Sequence, residues 1–179
     1  VLKDYIHQLQ LRRHRGLLVV SGTADASRKW AACFVEQNCN YSDCLWFGDV
    51  NPDSGLIHHS PLSRIKQYLG TECRVLVFDA HSGFSPNVFC AAADTVVGGG
   101  VILLLAPSLS EWPESVDKNF SAAYETQVSP YRFLRRVINY LHQVQQQDGF
   151  VHIVDADNEV QLPVAGLYKS PVNSSPVTT

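Results

Sequence analysis

Four short apolar runs punctuate the chain, and stretches with helical spacing separate them. The runs are Leu17-Leu18-Val19-Val20, Cys44-Leu45-Trp46-Phe47, Val75-Leu76-Val77-Phe78 and Val101 through Leu105. Their length and richness in β-formers predict strands over 17–20, 44–47, 74–78 and 101–105. The third run is nearly all apolar, as a strand buried on both faces should be. Before the first run, Leu2, Ile6, Leu9 and Leu11 line one side of a helix-like stretch, 2–14. After it, Asp25 or Ser27 can cap a helix reaching about Gln37, with Trp30 and Phe34 four residues apart. Ser60-Pro61 reads as a cap followed by proline at the first helical position, and Gly70 as the stop of that helix. Ser85-Pro86 repeats the signal ahead of Phe89, Ala92, Ala93 and Val96.

The glycine run Gly98-Gly99-Gly100 breaks the chain before the fourth strand, as helix-terminating and turn glycine. A long irregular stretch, Pro107 to Gln127, follows. Ser129-Pro130 then opens a strong helix from Tyr131 to about Gln147, with Phe133, Leu134, Val137, Ile138, Leu141 and Val144 inward. Two β-like segments, 150–154 and 159–162, flank Asp155-Ala156-Asp157-Asn158 and predict a hairpin. The tail from Ser170 has no periodicity.

Strands alternating with helices predict a Rossmann-like three-layer α/β fold with a four-stranded parallel sheet. The expected strand order is 2-1-3-4, with the C-terminal hairpin beyond it. Residues 1–163 form one module, and 164–179 form a linker or a cut end. In such sheets ligands sit at the carboxyl ends of the strands, near the point where the order reverses. That rim carries Ser21-Gly22-Thr23 and Asp79-Ala80-His81-Ser82-Gly83.

Charge changes the picture little: 14 Lys+Arg stand against 17 Asp+Glu, a net charge of −3. A dedicated nucleic-acid binder is usually basic, so any RNA contact must come from local clusters. There are two, Arg12-Arg13-His14-Arg15 and Arg132 with Arg135 and Arg136. Each reads either as a solvated face or as an RNA or inter-domain contact. The longest apolar run, 101–106, is far too short to span a bilayer. No signal peptide is visible and there is no methionine, as in a fragment lacking its natural start. Five cysteines without CxxC spacing read as reduced, buried hydrophobes of a cytoplasmic protein. The alternative, a zinc site with His58 and His59, lacks the paired ligands such sites favour.

Val75 to Asp79 looks like the ATPase strand that ends in a magnesium-binding acid. Such an acid needs a GxxxxGK[ST] phosphate loop after an earlier strand. Ser21-Gly22-Thr23-Ala24-Asp25 has one glycine, no lysine at the required place, and an acid where phosphate would sit. The plainer reading makes Asp79 a loop cap accepting backbone N–H groups. A phospho-acceptor role would need an acidic pair after the first strand and a lysine after the last; Ser21-Gly22 and Pro107-Ser108 stand there. No GxSxG nucleophile elbow occurs. No catalytic, cofactor-binding or metal-ligating residue is therefore assigned within this chain.

Several of these segments carry a family resemblance. Arg15 to Gly22 resembles the opening strand of the bacterial tRNA(Met) cytidine acetyltransferases, and Phe78-Asp79-Ala80-His81-Ser82-Gly83-Phe84 their most recognisable N-terminal motif. Gly99 to Pro107, with Glu111-Trp112 soon after, matches in order and spacing, as do Arg132-Phe133-Leu134 and the hairpin region. The resemblance implies the N-terminal module of a larger enzyme that also holds a helicase-like ATPase, an acetyl-CoA-dependent acetyltransferase and a tRNA-binding tail. That enzyme makes N4-acetylcytidine at the wobble position of elongator methionine tRNA, using acetyl-CoA and ATP or GTP with magnesium. Its nucleotide and acetyl-CoA motifs lie beyond position 179. Asp79, His81, Gly83 and Phe84 carry over as a structural signature. The expectation is a cytoplasmic, non-catalytic scaffold module that packs on the downstream ATPase and acetyltransferase modules, with tRNA as a candidate partner and no membrane partner. The alternative is a free-standing flavodoxin-like nucleotide-binding domain or small enzyme.

Overall fold

The computed structural model describes residues 2–39, 43–52, 57–115, 131–147 and 150–158. Six strands form one sheet: β1 (Gly16–Ser21), β2 (Cys44–Phe47), β3 (Ile57–Ser60), β4 (Cys73–Asp79), β5 (Val96–Ala106) and β6 (Val151–Asp155). Every neighbouring pair is parallel, in the order β3-β2-β4-β5-β1-β6. Helices α1 (Leu2–Arg12) and α2 (Ala24–Asn38) cover one face, and α3 (Pro86–Ala93) and α4 (Tyr131–Gln147) the other. The alternation within each strand makes this sandwich. Leu18, Val20, Trp46, Val75, Val77, Leu103 and Leu105 pack against Tyr5, Leu9, Trp30 and Phe34. Their neighbours Val19, Phe47, Leu76, Phe78, Ile102 and Leu104 pack against Leu134, Ile138 and Leu141.

The α/β class and the parallel pairing of the four expected strands hold, but several details are corrected. The order is not 2-1-3-4: β1 lies between β5 and β6, three positions away from β2. Three strand spacings are about 14 Å. Helix α2, with 15 residues, spans about 22 Å, so it carries the chain that far. The sheet also gains an edge strand, β3, where a helix cap was expected. Ile57-His58-His59-Ser60 has one apolar residue and is held by pairing with β2. A 3₁₀ segment, Leu62–Tyr68, then replaces the expected α-helix. Finally, the first half of the expected hairpin is β6, a parallel partner of β1. Residues 159–162, its other half, lie outside the described residues, as do Ser129-Pro130, 116–127 and 164–179.

The glycine run is not a break either. Strand β5 continues through it with a shift of register, Cys73 pairing with Val96 and Val75 with Val101, and the helix before it ends at Ala93, so Val96 opens the strand. A Cβ at Gly100 would lie 2.6 Å from the carbonyl oxygen of Arg74, and one at Gly99, where φ is +90°, 2.9 Å from the Cα of Gln10. The missing side chains let α1 and β4 close on this strand. The first helix ends two residues early because Arg13 takes a left-handed φ of 54°. Leu11, expected inward, is 66% exposed.

Candidate functional site

The carboxyl ends of the strands gather the polar residues that the core excludes. With β1 between β5 and β6, the crevice where chain direction divides lies beside Ser21, not between the first and third expected strands. The Ser21 hydroxyl donates to Pro107 O (3.3 Å) and accepts from the Leu109 N–H (3.1 Å), stitching the two loops together.

Asp79 ends β4 fully buried. Its Oδ1 accepts the His81 N–H at 3.0 Å, as the cap reading expected. Its Oδ2 accepts Nε–H of Arg28 at 2.8 Å, an ion pair with an arginine side chain only 22% exposed. Gly48, beyond β2, leaves the room: a Cβ there would lie 2.7 Å from that of Asp79. Burial pulls the His81 imidazole below its usual range, against the opposing pull of Asp79. Its Nε2 is buried without a hydrogen-bond partner among the described residues. Gly83 then turns the chain at φ +121°. Phe84 enters an aromatic nest with ring centroids 6.1 Å from Phe78, 5.6 Å from Phe89, 5.3 Å from Trp112 and 6.4 Å from Phe133. The motif 78–84 thus joins the end of β4 to α3, to the 112–114 turn and to α4.

Arg28 escaped the reading of the sequence, although a signal existed. Counted from Gly22, position 28 is where a GxxxxGK[ST] loop has its lysine. An arginine stands there, and it meets the strand-end acid instead of a phosphate. Asp157 was missed as well. Asp155 accepts backbone N–H groups of Asp157 (3.1 Å) and Asn158 (3.2 Å), and Asn158 Nδ2–H donates to it at 2.8 Å. The Asn158 side-chain bond is the main cause holding the Asp155 carboxyl below its ordinary value. The tight loop that results, read as a hairpin turn, presents Asp157 to the start of α2. There the Thr23 N–H donates to both Asp157 oxygens (3.2 and 3.0 Å) and the Thr23 hydroxyl donates to Oδ1 (2.8 Å). Thr23, not Asp25 or Ser27, is the cap of α2, accepting from the Ala26 N–H. A carboxylate of the chain itself therefore occupies the anion position of this helix, and a second one neutralises the nearby cation.

The arginine clusters lie elsewhere and apart. Arg12, Arg13 and Arg15 are exposed at the amino end of β1, on the α1 side. Arg15 makes a loose ion pair with Asp94, 3.9 Å. Arg132, Arg135 and Arg136 are exposed on α4, across the sheet. Cys44 and Cys73 are buried as expected, but Cys33 and Cys90 are exposed. Burial pushes the Cys39 thiol up to about 12. No group of three or more His, Cys, Asp or Glu among the described residues is placed to hold a metal. No helix among them is long and apolar enough to cross a membrane.

Fold and rim together define a doubly wound parallel α/β domain whose rim groups at the start of α2 and the end of β4 are engaged by its own carboxylates. The chain belongs to the family described as tRNA(Met) cytidine acetyltransferase TmcA, N-terminal, which it matches over residues 1–154. Relatives bearing the name tRNA(Met) cytidine acetyltransferase TmcA include a protein of Nitrosococcus halophilus, 31% identical over 91% of this chain and 22% of its own length. One from Yersinia pestis is 31% identical over 85% of the chain and 21% of its own length. One from Haloferax volcanii is 36% identical over 58% of the chain and 14% of its own length. The chain spans about a fifth of the length of the first of these relatives.

Proposed function

We propose that this chain is the non-catalytic N-terminal scaffold module of a tRNA(Met) cytidine acetyltransferase. The parent protein forms N4-acetylcytidine at the wobble position of elongator methionine tRNA, in the cytoplasm, with acetyl-CoA, ATP or GTP, and magnesium. The observation that carries the reading is the family match over 1–154 in a chain only about a fifth as long as its relatives. The chemistry then belongs to modules outside this chain. The rim supports a scaffold role. Acetyl-CoA and nucleoside triphosphates need free N–H groups and cations for their phosphates. Here Asp157 fills the start of α2 and Asp79 holds Arg28. The same occupancy weighs against a free-standing nucleotide-binding domain. Residues 1–163 are the module and 164–179 lead to the ATPase module. The motif Asp79, His81, Gly83 and Phe84 is structural, fixing the turn that seats Phe84. Arg12, Arg13 and Arg15 face a neighbouring module or RNA.

The test is a partition of activity. The purified chain, incubated with labelled acetyl-CoA, ATP and methionine tRNA, should release no phosphate and form no acetylcytidine, whereas the parent protein should do both. Turnover by the chain that vanishes on Asp79→Ala would overturn the scaffold reading.

A further inference from the structure

The outer face of α4 carries a chemistry that the scaffold reading does not use. Its 17 residues, YRFLRRVINYLHQVQQQ, include three arginines and no acid, in a chain whose net charge is −3. Leu134, Ile138 and Leu141 point into the core. On the opposite face Arg132, Arg136 and Tyr140 follow at four-residue steps, so they lie along one strip. Arg132 and Arg136 are exposed and have no carboxylate partner among the described residues. The Tyr140 side chain is 65% exposed, far more than core packing would leave. Gln143 continues the strip as a neutral hydrogen-bonding group. Arg135 turns toward the neighbouring groove, which it lines with Glu114, and is left out.

We infer that this strip binds a single-stranded segment of RNA. Arg132 and Arg136 stand about 6 Å apart along the helix axis, within reach of successive phosphates of one strand. Guanidinium groups without carboxylate partners are suited to that contact. A flat ring projecting from the helix next to them offers a face to an unpaired base, which a base inside a duplex cannot use. A protein partner matching this strip would need two acids placed beside an aromatic groove, whereas a nucleic-acid strand supplies phosphates and π-faces in every sequence. RNA rather than DNA rests on the function proposed above.

The test titrates the 179-residue chain with a labelled short oligouridylate and, separately, with heparin, a polyanion without bases. Oligouridylate affinity should fall with salt on a logarithmic slope of about −1.4 for two phosphates on a single strand, and Arg132→Ala with Arg136→Ala should abolish that slope. Tyr140→Ala should weaken oligouridylate by about five-fold or more and leave heparin unchanged, while Tyr140→Phe should bind as the unchanged chain. Equal melting temperatures serve as the control for folding, since all three side chains point to solvent. Absence of oligouridylate binding, or equal loss of both ligands in Tyr140→Ala, overturns the strip and leaves the activity partition above untouched. Hydrogen exchange on the parent protein gives a further outcome. An α4 face shielded there without RNA would mark an inter-module contact and also overturn the proposal.

Discussion

Replacing Arg28 with methionine should cost more stability than replacing its partner Asp79 with asparagine. The two ends of the ion pair are not equivalent. The Asp79 carboxylate is fully buried, while the Arg28 side chain keeps 22% of its surface exposed. Arg28→Met keeps the aliphatic packing and strands a buried carboxylate with one N–H donor, that of His81 at 3.0 Å. Breaking a buried pair from one side costs about 3–5 kcal/mol; water near Arg28 places this case near the lower end, about 3 kcal/mol. Asp79→Asn removes the charge and keeps an acceptor for the His81 N–H, and the released guanidinium turns toward solvent. That change should cost about 1–2 kcal/mol, in the range of a lost charged hydrogen bond. The double variant should be more stable than Arg28→Met alone, because the stranded charge is gone. Urea denaturation followed by tryptophan fluorescence measures all three. In thermal melts about 3 kcal/mol corresponds to roughly 6–12 °C for a chain of this size. A loss below about 1 kcal/mol for Arg28→Met, or a larger loss for Asp79→Asn, would show that the pair does not hold the rim together as argued.

Two further outcomes follow from the same rim. Burial holds the folded-state pKa of His81 below its ordinary value, so below about pH 6.5 the unfolded chain takes up a proton that the folded chain resists. Stability should therefore fall as pH falls through that window and level off once the folded imidazole is also protonated. His81→Gln should flatten the decline in pH-dependent urea midpoints, and an unchanged slope would exclude His81 as its source. Asp157→Ala should lose about 1 kcal/mol, as for a lost helix cap, and inorganic phosphate should recover part of it in melting experiments while leaving the unchanged chain unaffected. Equal stabilisation of both by phosphate would mean that Asp157 is not what fills the anion position.

The sequence by itself determined the class of the fold and much of its interior. Runs such as 17–20 and 101–105 are too apolar to lie anywhere but inside a sheet, and the spacing in 131–147 defines α4, matching its observed range. Those signals are local: burial, period and capping act over a few residues. Strand order is not local, since any sufficiently long crossover helix satisfies the same pattern, and only closing the sheet put β1 between β5 and β6. The polar edge strand β3 has no pattern of its own, and its pairing with β2 makes it a strand. The glycine run looked like punctuation because the helix and strand that need its missing side chains are distant in sequence. The site followed the same division. Asp79 was legible as a capping acid at a strand end. Arg28, 51 positions away, and Asp157, 134 positions from Thr23, acquired their roles through tertiary structure. A charge finds its partner through the packing that buries it, and no spacing along the chain encodes that distance.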